Sequence, residues 1–353
     1  MSIHVGILGF AHGHVNGYLS TWREHPEYGV TAIAGWDHDA ERLQQAVTQH
    51  GIDSVESAKA LLARADIQAV VIAAETAYHA ELVELAAAAD KAIVLQKPLA
   101  LTLDEADRIV DAVERTGVPF TMAWQMRTDP QNCMMQELLA GGAFGKVYSV
   151  RRRHGLGMHL NPGFAETWHV KPELNRDIWA DDSSHPIDFI HWLLGVPESV
   201  TAEIITAANA WMPMDNGVAL FRYPEGPLVE VCCSFTCMAA ENTTEIYAEN
   251  GVIIQSFGDG PGCVAPRQAG LSGLKWYLAA TQEWTYSEIP SPAGHWERIL
   301  GLSQPLAAFL NGERGPIATA EDARISLRMV LATYVAVREG RRVHLDDPAI
   351  ALV

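Results

Sequence analysis

Asp181 and His185 stand four residues apart, just before the apolar run 187–194, and their side chains could together deprotonate an alcohol. Proline is tolerated in the first turn of a helix, so Pro186 predicts that His185 lies at or near a helix N-terminus. The partial positive charge at that end of a helix disfavours imidazolium and favours the neutral ring, which accepts a proton. A nearby carboxylate can fix the tautomer of the ring and stabilise the charge that it acquires.

A structural interpretation of the same segment stays open. Residues 181–184 are two aspartates and two serines, which are residue types that cap helices, and His185 would then be an ordinary surface residue. The choice between a catalytic pair and a helix cap depends on the elements that position this segment and on residues elsewhere in the chain.

The first part of the chain, residues 1–121, alternates between short β-rich runs and helical patterns. Such alternation indicates βαβ units around a buried parallel sheet, whose ligands bind outside the C-terminal ends of the strands. The predicted strands are 3–8, 31–36, 69–74, 92–96 and 119–123, and the predicted helices are 15–24, 40–50, 79–89 and 103–116.

The pattern changes near residue 124, and the later strand-like segments are spaced as in a meandering, largely antiparallel sheet. We therefore predict an α/β protein of two domains, 1–123 and 124–353, the second of them α+β with an open sheet. The C-terminal helix can pack back on the first domain. The predicted strands of the second domain are 147–154, 199–207, 217–222, 228–235, 244–248 and 252–255, and its predicted helices are 130–140, 186–194, 296–310 and 320–338.

The beginning of the chain has the layout of a dinucleotide site, because Gly9 ends the first strand and Asp37 ends the second. Turn amides at a helix N-terminus can hold a pyrophosphate, so the first domain is predicted to be a Rossmann domain. Asp37 would accept hydrogen bonds from the adenosine ribose hydroxyls and repel a 2′-phosphate. The expected cofactor is therefore NAD rather than NADP.

The glycine turn departs from the usual G-x-G-x-x-G/A pattern, because residues 9–14 read GFAHGH. Ala11 adds one methyl group at the point where the backbone must approach phosphate. His14 is too large for the close contact between helix and strand unless Gly13 takes over that role.

Composition narrows the classes of partner. The chain has 353 residues and a net charge of −18, and it lacks the basic surface that nucleic-acid binding requires. The run of three arginines at 151–153 could bind an anion, but a strand with alternate residues in solvent is the simpler interpretation. No apolar run is long enough to span a bilayer, so no membrane partner is expected.

Cysteine usage and the N-terminus indicate the compartment. Five cysteines without a regular framework favour a reducing environment, and the N-terminus lacks a secretory-signal pattern, so we expect a cytoplasmic protein. Cys232, Cys233 and Cys237 lie in an apolar strand pattern without paired ligand spacing, which favours core packing over a metal site.

Several segments resemble motifs of the Gfo/Idh/MocA family, the NAD(P)-dependent enzymes that include glucose-fructose oxidoreductase and inositol dehydrogenase. Residues 69–79 are similar to that family's strand followed by T-P-N-x-x-H, and residues 93–100 to its V-L-x-E-K-P-L-A. Residues 181–195 resemble its D-x-G-x-H-x-x-D helix. Residues 124–127 match a segment that ends in a frequent arginine, and 339–343 match the closing E-G-R-x-V, so the resemblance runs nearly end to end.

The chain also departs from the pattern of that family. Gln96 replaces the glutamate of E-K-P, and Glu75 and Thr76 replace the Pro-Asn of T-P-N. Residues 175–177, Asn-Arg-Asp, stand near the place where many members carry a glycine run.

The resemblance implies a hydride transfer between nicotinamide and a secondary hydroxyl of a sugar, sugar acid or cyclitol. It implies a catalytic trio of Lys97, Asp181 and His185, brought together in the cleft between domains. We expect His185 to be the general base, Asp181 to orient it, and Lys97 to stabilise the alkoxide. The resemblance also implies a homo-dimer or homo-tetramer formed through the C-terminal sheet.

The remaining candidate residues are assigned by position in the predicted turns and segments. The expected cofactor contacts are Gly9, Phe10, Ala11, His12, Asp37, Ala74, Glu75, His79, Gln96, Lys97 and Gln125. The expected contacts to a polyhydroxylated small-molecule substrate are Arg127, Arg152, His154, Trp168, Arg176, Asp181 and His185, because polar groups with flat aromatic faces suit such a ring. Three histidines, His12, His14 and His79, raise the question of a metal, but they fall in nucleotide-contacting turns, and we expect none.

Two other functions remain open from the sequence. The same fold can use redox transiently, oxidising a sugar carbon so that a glycosidic bond is eliminated with no net consumption of NAD. It can also serve as a non-catalytic nucleotide sensor, which the altered glycine turn and Gln96 favour and the trio of Lys97, Asp181 and His185 opposes.

Overall fold

The structure is a computed structural model and describes residues 2–239, 241–257 and 270–353. The backbone forms two units, and the chain passes between them more than once. The first unit comprises Met1–Gln125, Glu173–Asn175 and Ile299–Leu327, and the second comprises Met126–Pro172, Arg176–Arg298 and Arg328–Val353.

The first unit is built on a parallel sheet of six strands among the residues described, in the order β3-β2-β1-β4-β5-β6. All four residues of β4 are buried, as expected for a parallel strand covered on both faces. The strands are β1 (Ile3–Leu8), β2 (Val30–Trp36), β3 (Asp53–Ser54), β4 (Ala69–Ile72), β5 (Ala92–Leu95) and β6 (Phe120–Met122). The predicted Rossmann-type sheet of βαβ units is confirmed. The strand order reverses at β1 and β4, whose carboxyl ends are where such sheets bind ligands.

Helices of the first unit end where the sequence supplies caps. The helix after β5 begins with a capping box between Thr102 and Glu105 and ends at Gly117, which has a φ of 70°. The predicted bounds 40–50 and 103–116 are therefore confirmed. The helices, numbered in chain order, are α1 (His14–Glu24), α2 (Ala40–His50), α3 (Ala58–Leu62), α4 (His79–Ala88) and α5 (Leu103–Thr116), and α11 (Ser303–Leu310) also belongs to this unit.

The segment 299–327 returns to the first unit and is fastened to it by hydrogen bonds. Trp22 Nε1 donates to the Ser303 carbonyl over 2.9 Å, and the Ile317 amide donates to Thr121 Oγ1 over 2.8 Å. The Met122 amide also donates to the Ala318 carbonyl over 3.0 Å. Residues distant in sequence therefore complete the core of this unit.

The second unit contains a mixed, mostly antiparallel sheet, as predicted. Its nine strands among the described residues have the order β14-β13-β12-β11-β7-β10-β9-β8-β15, and only β7 and β10 pair in parallel. The strands are β7 (Val147–Gly155), β8 (Ser199–Ile205), β9 (Asn216–Arg222), β10 (Leu228–Ser234), β11 (Thr243–Ala248), β12 (Gly251–Gln255), β13 (Leu274–Leu278), β14 (Glu283–Tyr286) and β15 (Val343–His344).

The helices that follow β6 complete the chain. The predicted single helix 296–310 is wrong in one respect, because it divides at Leu302 into α10 and α11. The further helices are α6 (Pro130–Ala140), α7 (Pro172–Asn175), α8 (Ile178–Asp182), α9 (Ser184–Leu194), α10 (His295–Gly301) and α12 (Ala320–Glu339). Short 3₁₀ turns occur at Pro26–Tyr28, Thr76–Tyr78, Gln125–Arg127, Met158–Leu160, Pro162–Glu166, Trp168–Val170 and Pro348–Leu352.

One face of the second sheet is open to solvent. Arg151 and Arg153 are exposed on it, whereas Arg152 between them is buried, so the interpretation of residues 151–153 as a half-exposed strand is confirmed. The exposed apolar side chains on strands of this sheet include Ile205, Val218, Leu228 and Tyr247, which are 39–56% exposed.

The cysteines Cys133, Cys232, Cys233 and Cys237 carry free thiols, and Cys263 lies outside the described residues. Cys233 packs in the core as predicted, whereas Cys232 is only partly buried. In the described part of the chain, no helix is both long and apolar enough to cross a membrane.

Candidate active site

The glycine turn after β1 is held between the ends of β2 and β4. The Gly9 amide donates to the Trp36 carbonyl over 2.7 Å, and the His12 amide donates to the Ala73 carbonyl over 2.9 Å. Gly9 has a φ of 85°, and a Cβ built there would lie 2.5 Å from Ala74 Cα. Only glycine satisfies both conditions, so this position fixes the turn.

Gly9→Ala is expected to lower the free energy of unfolding by about 2 kcal/mol or more, because it adds a left-handed backbone penalty to a steric clash. Gly13→Ala is the matched control. Its φ is −57°, and a Cβ there would meet nothing within 4 Å. Urea unfolding of both variants measures the difference, and equal stability of the two would contradict this account of the turn.

The rest of the turn leaves room for a phosphate group. Gly13 directly precedes α1 and faces open space at the helix N-terminus, which is a place where anions bind. Gly13 is exposed, so it does not make the close contact between helix and strand that a third glycine usually makes. The buried Phe10 ring packs against Gly35, where an added Cβ would lie 2.7 Å from the ring. This packing anchors the glycine turn to β2.

A cavity of about 350 Å³ opens beside the ends of β2 and β4. The rings of His38 and Tyr78 lie on its wall with centroids 4.9 Å apart. It is lined by Trp36, His38, Ser57, Ala58, Lys59, Ala74, Tyr78, Glu81, Leu82 and Leu85. A mainly apolar cavity with flat rings on its wall suits an adenine ring.

Asp37 ends its strand as predicted, and its carboxylate is already hydrogen-bonded within the protein. It accepts from the Phe10 amide over 2.7 Å, from the Asp39 amide over 2.9 Å, and twice from Arg42 over 2.7 Å. Burial alone would lower the pKa of the Arg42 guanidinium, but hydrogen bonds and charges from Asp37 and Glu75 outweigh it and raise that pKa. The sequence analysis missed Arg42, although its position in the first turn of α2, five residues after Asp37, was a usable signal.

His79 ties together the two loops that follow β4 and β5. Its Nδ1 lies 2.9 Å from the Pro98 carbonyl oxygen, and its Nε2 lies 3.2 Å from that of Ala74. Burial lowers the pKa of His79 more than these carbonyls raise it, so the ring is neutral. His79 therefore holds the loop that carries the buried Lys97.

Gln96 lies beside Lys97 in the same loop and is buried as well. Its Nε2 donates to the Tyr18 hydroxyl over 2.7 Å. The amide replaces the glutamate of the E-K-P pattern, and it places no negative charge next to the Lys97 amine.

The acid and the imidazole of the second unit are both in its interior. Asp181 is 2% exposed and His185 is 5% exposed, so the interpretation of His185 as a surface residue is wrong. His185 is the second residue of α9, whose first intrahelical bond runs from the Ile187 amide to the Ser183 carbonyl. The preceding helix, α8, ends at Asp182. The prediction that His185 lies at or near a helix N-terminus is therefore confirmed.

A second carboxylate, Asp182, lies beside the His154 imidazole. Its Oδ2 is 3.3 Å from His154 Nε2 and accepts from the Cys233 thiol over 3.2 Å. The His154 and His185 rings have centroids 5.7 Å apart. Burial and the Asp182 charge raise the pKa of the Cys233 thiol, which stays protonated. Asp182 was considered only as a cap, and no local pattern connects it to residues 154 and 233.

Two predicted substrate residues are held by other side chains. Arg127 makes a bidentate buried pair with Asp188, over 2.9 and 2.7 Å. Arg152 is fully buried, donates to Thr244 Oγ1 over 2.9 Å and lies 4.7 Å from the Phe189 ring centroid. Each guanidinium therefore has structural partners within the second unit.

Arg176 and Trp168 are placed differently. Arg176 is partly exposed, donates to the Val353 carbonyl over 3.2 Å and has the rare φ of 69° for a residue other than glycine. Trp168 stacks on His169 with ring centroids 4.1 Å apart. Within the described residues, no group of three or more His, Cys, Asp or Glu side chains is arranged to hold a metal ion.

The first unit thus carries the predicted nucleotide contacts and Lys97, and the second unit carries Asp181, His185 and the predicted substrate residues. Residues 3–124 match the model of the oxidoreductase family with an NAD-binding Rossmann fold, and residues 134–254 match the GFO/IDH/MocA C-terminal domain. The chain belongs to the Gfo/Idh/MocA family of oxidoreductases. The family resemblance predicted from the motifs is confirmed.

Two curated relatives of the chain are named as enzymes of sugar oxidation or reduction. The chain is 28% identical to D-apiose dehydrogenase of Paraburkholderia graminis over 94% of its own length and 86% of that protein. It is 27% identical to 1,5-anhydro-D-fructose reductase of Ensifer adhaerens, over 90% and 92% of the two chains. A solved levoglucosan dehydrogenase, in complex with NADH and levoglucosan, superposes with a TM-score of 0.81 at 19% identity, over 98% and 100% of the two chains, and so shares the fold.

Proposed function

We propose that this oxidoreductase transfers a hydride between NAD and a secondary hydroxyl group of a sugar, sugar acid or cyclitol. The observation that carries the proposal is the buried pair Asp181 and His185, four residues apart, in a chain of this family. The names of the curated relatives, which are sugar dehydrogenases and reductases, support the substrate class.

The proposed mechanism assigns one task to each side chain. His185 accepts the proton of the substrate hydroxyl, and Asp181 orients the imidazole and stabilises the charge that it gains. The Lys97 ammonium donates a hydrogen bond to the same oxygen as negative charge develops there. When bound, NAD would accept the hydride from the carbon that bears this hydroxyl group. In the reduction of a carbonyl group, the same side chains would play the opposite roles.

The residues proposed to hold NAD lie in the first unit. Phosphates would meet the turn from Gly9 to Gly13 at the N-terminus of α1, and adenine would enter the cavity lined by His38 and Tyr78. Asp37 would bind the adenosine ribose and favour NAD over NADP. The residues near the nicotinamide end would be His12, Ala74, Gln96, Lys97 and Gln125.

Substrate contacts are proposed for Arg176, Trp168 and His154, in addition to the catalytic pair. A guanidinium and a flat indole suit an acidic or neutral sugar ring. We also propose two domains, 1–123 and 124–353, and a cytoplasmic homo-dimer or homo-tetramer. The solvent-exposed Ile205, Val218, Leu228 and Tyr247 of the open sheet support an interface on that face.

Two measurements test the function. Mass spectrometry of the purified protein is expected to find NAD(H), and a screen of sugars, sugar acids and cyclitols is expected to find at least one that produces NADH absorbance. Binding of NAD without reduction by any member of the screen would support a nucleotide sensor instead. Failure to bind NAD or NADP at all would contradict both interpretations.

A further inference from the structure

Asp182 and His154 form a buried pair in the second unit, next to the proposed catalytic imidazole. Asp182 Oδ2 lies 3.3 Å from His154 Nε2, and the two side chains are 5% and 2% exposed. The ring centroids of His154 and His185 are 5.7 Å apart. Asp182 occupies the variable second position of the D-x-G-x-H-x-x-D pattern, so this carboxylate is a feature of this chain.

Two neighbouring strands hold the pair in place. His154 on β7 and Cys233 on β10 are register partners in the parallel ladder, and both are buried. The Cys233 thiol donates to the same oxygen of Asp182 over 3.2 Å. The carboxylate is therefore bound from both strands, which keeps it beside the imidazole.

The carboxylate determines which ring nitrogen of His154 carries the proton. A negative oxygen beside Nε2 favours a proton on that atom, because it would repel a lone pair there. Nδ1 then presents a lone pair and can only accept. Among the described residues, Nδ1 of this buried ring has no hydrogen-bond partner. A buried acceptor without a donor is destabilising, so a ligand that brings a donor to Nδ1 would be favoured.

We propose that Asp182 makes His154 a hydrogen-bond acceptor for a substrate hydroxyl, so that the enzyme selects neutral sugars or cyclitols over sugar acids. The inference rests on the proposed function and narrows its substrate class. Asp182 is a positioning residue, since it acts on the substrate through His154. A hydroxyl group donates to Nδ1, whereas an ionised carboxylate has no proton to donate and would face both the lone pair and the Asp182 charge.

The buried cations of the second unit do not offset this repulsion. Of the predicted substrate residues, Arg127 and Arg152 are the buried guanidinium groups. Arg127 makes a bidentate pair with Asp188, and Arg152 donates to Thr244 Oγ1. Both are engaged by the protein, so an acidic group that approached His154 would meet the charge of Asp182 first.

The test is steady-state NAD reduction over the screen of sugars, sugar acids and cyclitols, with each acid paired with its neutral parent, such as D-glucuronate with D-glucose. For the wild-type protein, kcat/KM for the best neutral compound is expected to exceed that for any acid by about tenfold or more. This factor is the equivalent of one hydrogen bond to a buried group that would otherwise lack a partner.

Asp182→Asn is expected to lower the ratio of kcat/KM for the neutral compound to that for its acid by about tenfold or more. The new amide can donate to Nε2 of His154, which moves the ring proton to Nδ1 and makes that atom a donor to a carboxylate. His185 and Lys97 still act on the reacting hydroxyl. The loss with the neutral compound should therefore appear in KM more than in kcat, which a purely structural role of Asp182 would not produce.

The matched control is Asp215→Asn. Asp215 is also a buried carboxylate of the second unit, but it accepts from the backbone amides of Ala207 and Ala208, over 2.6 and 2.9 Å. D215N should lower the thermal midpoint and leave the ratio of the two kcat/KM values unchanged.

Two results would overturn the inference: a wild-type preference for acids, or a ratio for D182N within twofold of wild type. If D182N does not fold, His154→Asn takes its place, because its amide offers both a donor and an acceptor and should also lower the ratio. An unchanged ratio for H154N would then overturn the inference. Absence of turnover with every member of the screen would instead overturn the proposed function.

Discussion

Replacing His185 with alanine is expected to lower turnover by about two orders of magnitude or more, because a positioned general base contributes about 10²–10⁴-fold. NAD affinity should be retained, since the proposed nucleotide contacts lie in the other unit. Steady-state turnover with a substrate from the screen, together with calorimetric NAD binding, measures the two effects separately.

The control for this variant is His344→Ala. His344 belongs to the same unit, but its side chain is 56% exposed and lies 3.9 Å from Glu198. It should retain turnover. A His185→Ala protein with turnover near that of wild type would eliminate the proposed mechanism, whereas loss of NAD binding would indicate a structural role for the ring.

Replacing Lys97 with alanine is expected to have a similar effect on turnover, about two orders of magnitude or more, because the oxygen that becomes negative loses its cationic hydrogen-bond donor. Lys97 is 4% exposed in the loop that His79 holds. The thermal midpoint of the variant and its affinity for NAD should change little by comparison.

Lys91→Ala is the informative comparison for Lys97. Lys91 directly precedes β5, the strand that Lys97 follows, and its Nζ donates to the carbonyls of Arg64 and Ile67, over 3.1 and 2.7 Å. That lysine is structural, so its replacement should lower the thermal midpoint and spare turnover. If Lys97→Ala also lowers the thermal midpoint and spares turnover, Lys97 is structural too. The mechanism would then lose the group that stabilises negative charge on the substrate oxygen.

The sequence predicted the elements best where local chemistry marks their ends. The helix Leu103–Thr116 has a capping box before it and Gly117 after it, and both are visible in the sequence. β3, β13, β14, β15 and the one-turn helix α3 were not predicted. Most of these elements are too short for a periodic pattern, and their stability comes from pairing with distant segments.

The candidate site was predictable in its residue types but not in its connections. The motifs located Asp37, Lys97, Asp181 and His185, because each of them can be identified from the few residues next to it in the sequence. The partners of these residues come from elsewhere in the chain. Glu75 approaches Arg42 from 33 residues away, and Cys233 approaches Asp182 from 51 residues away. Such pairings depend on tertiary packing and leave no local signal.

The interleaving of the two units bears on how the protein is made. Ribosomes deliver the N-terminal end first, and domains generally fold as they emerge. Here the first unit lacks Ser303 and Ile317, which bond to Trp22 and Thr121, until synthesis has passed most of the second sheet. The first unit therefore stays incompletely packed until the last fifth of the chain has been synthesised.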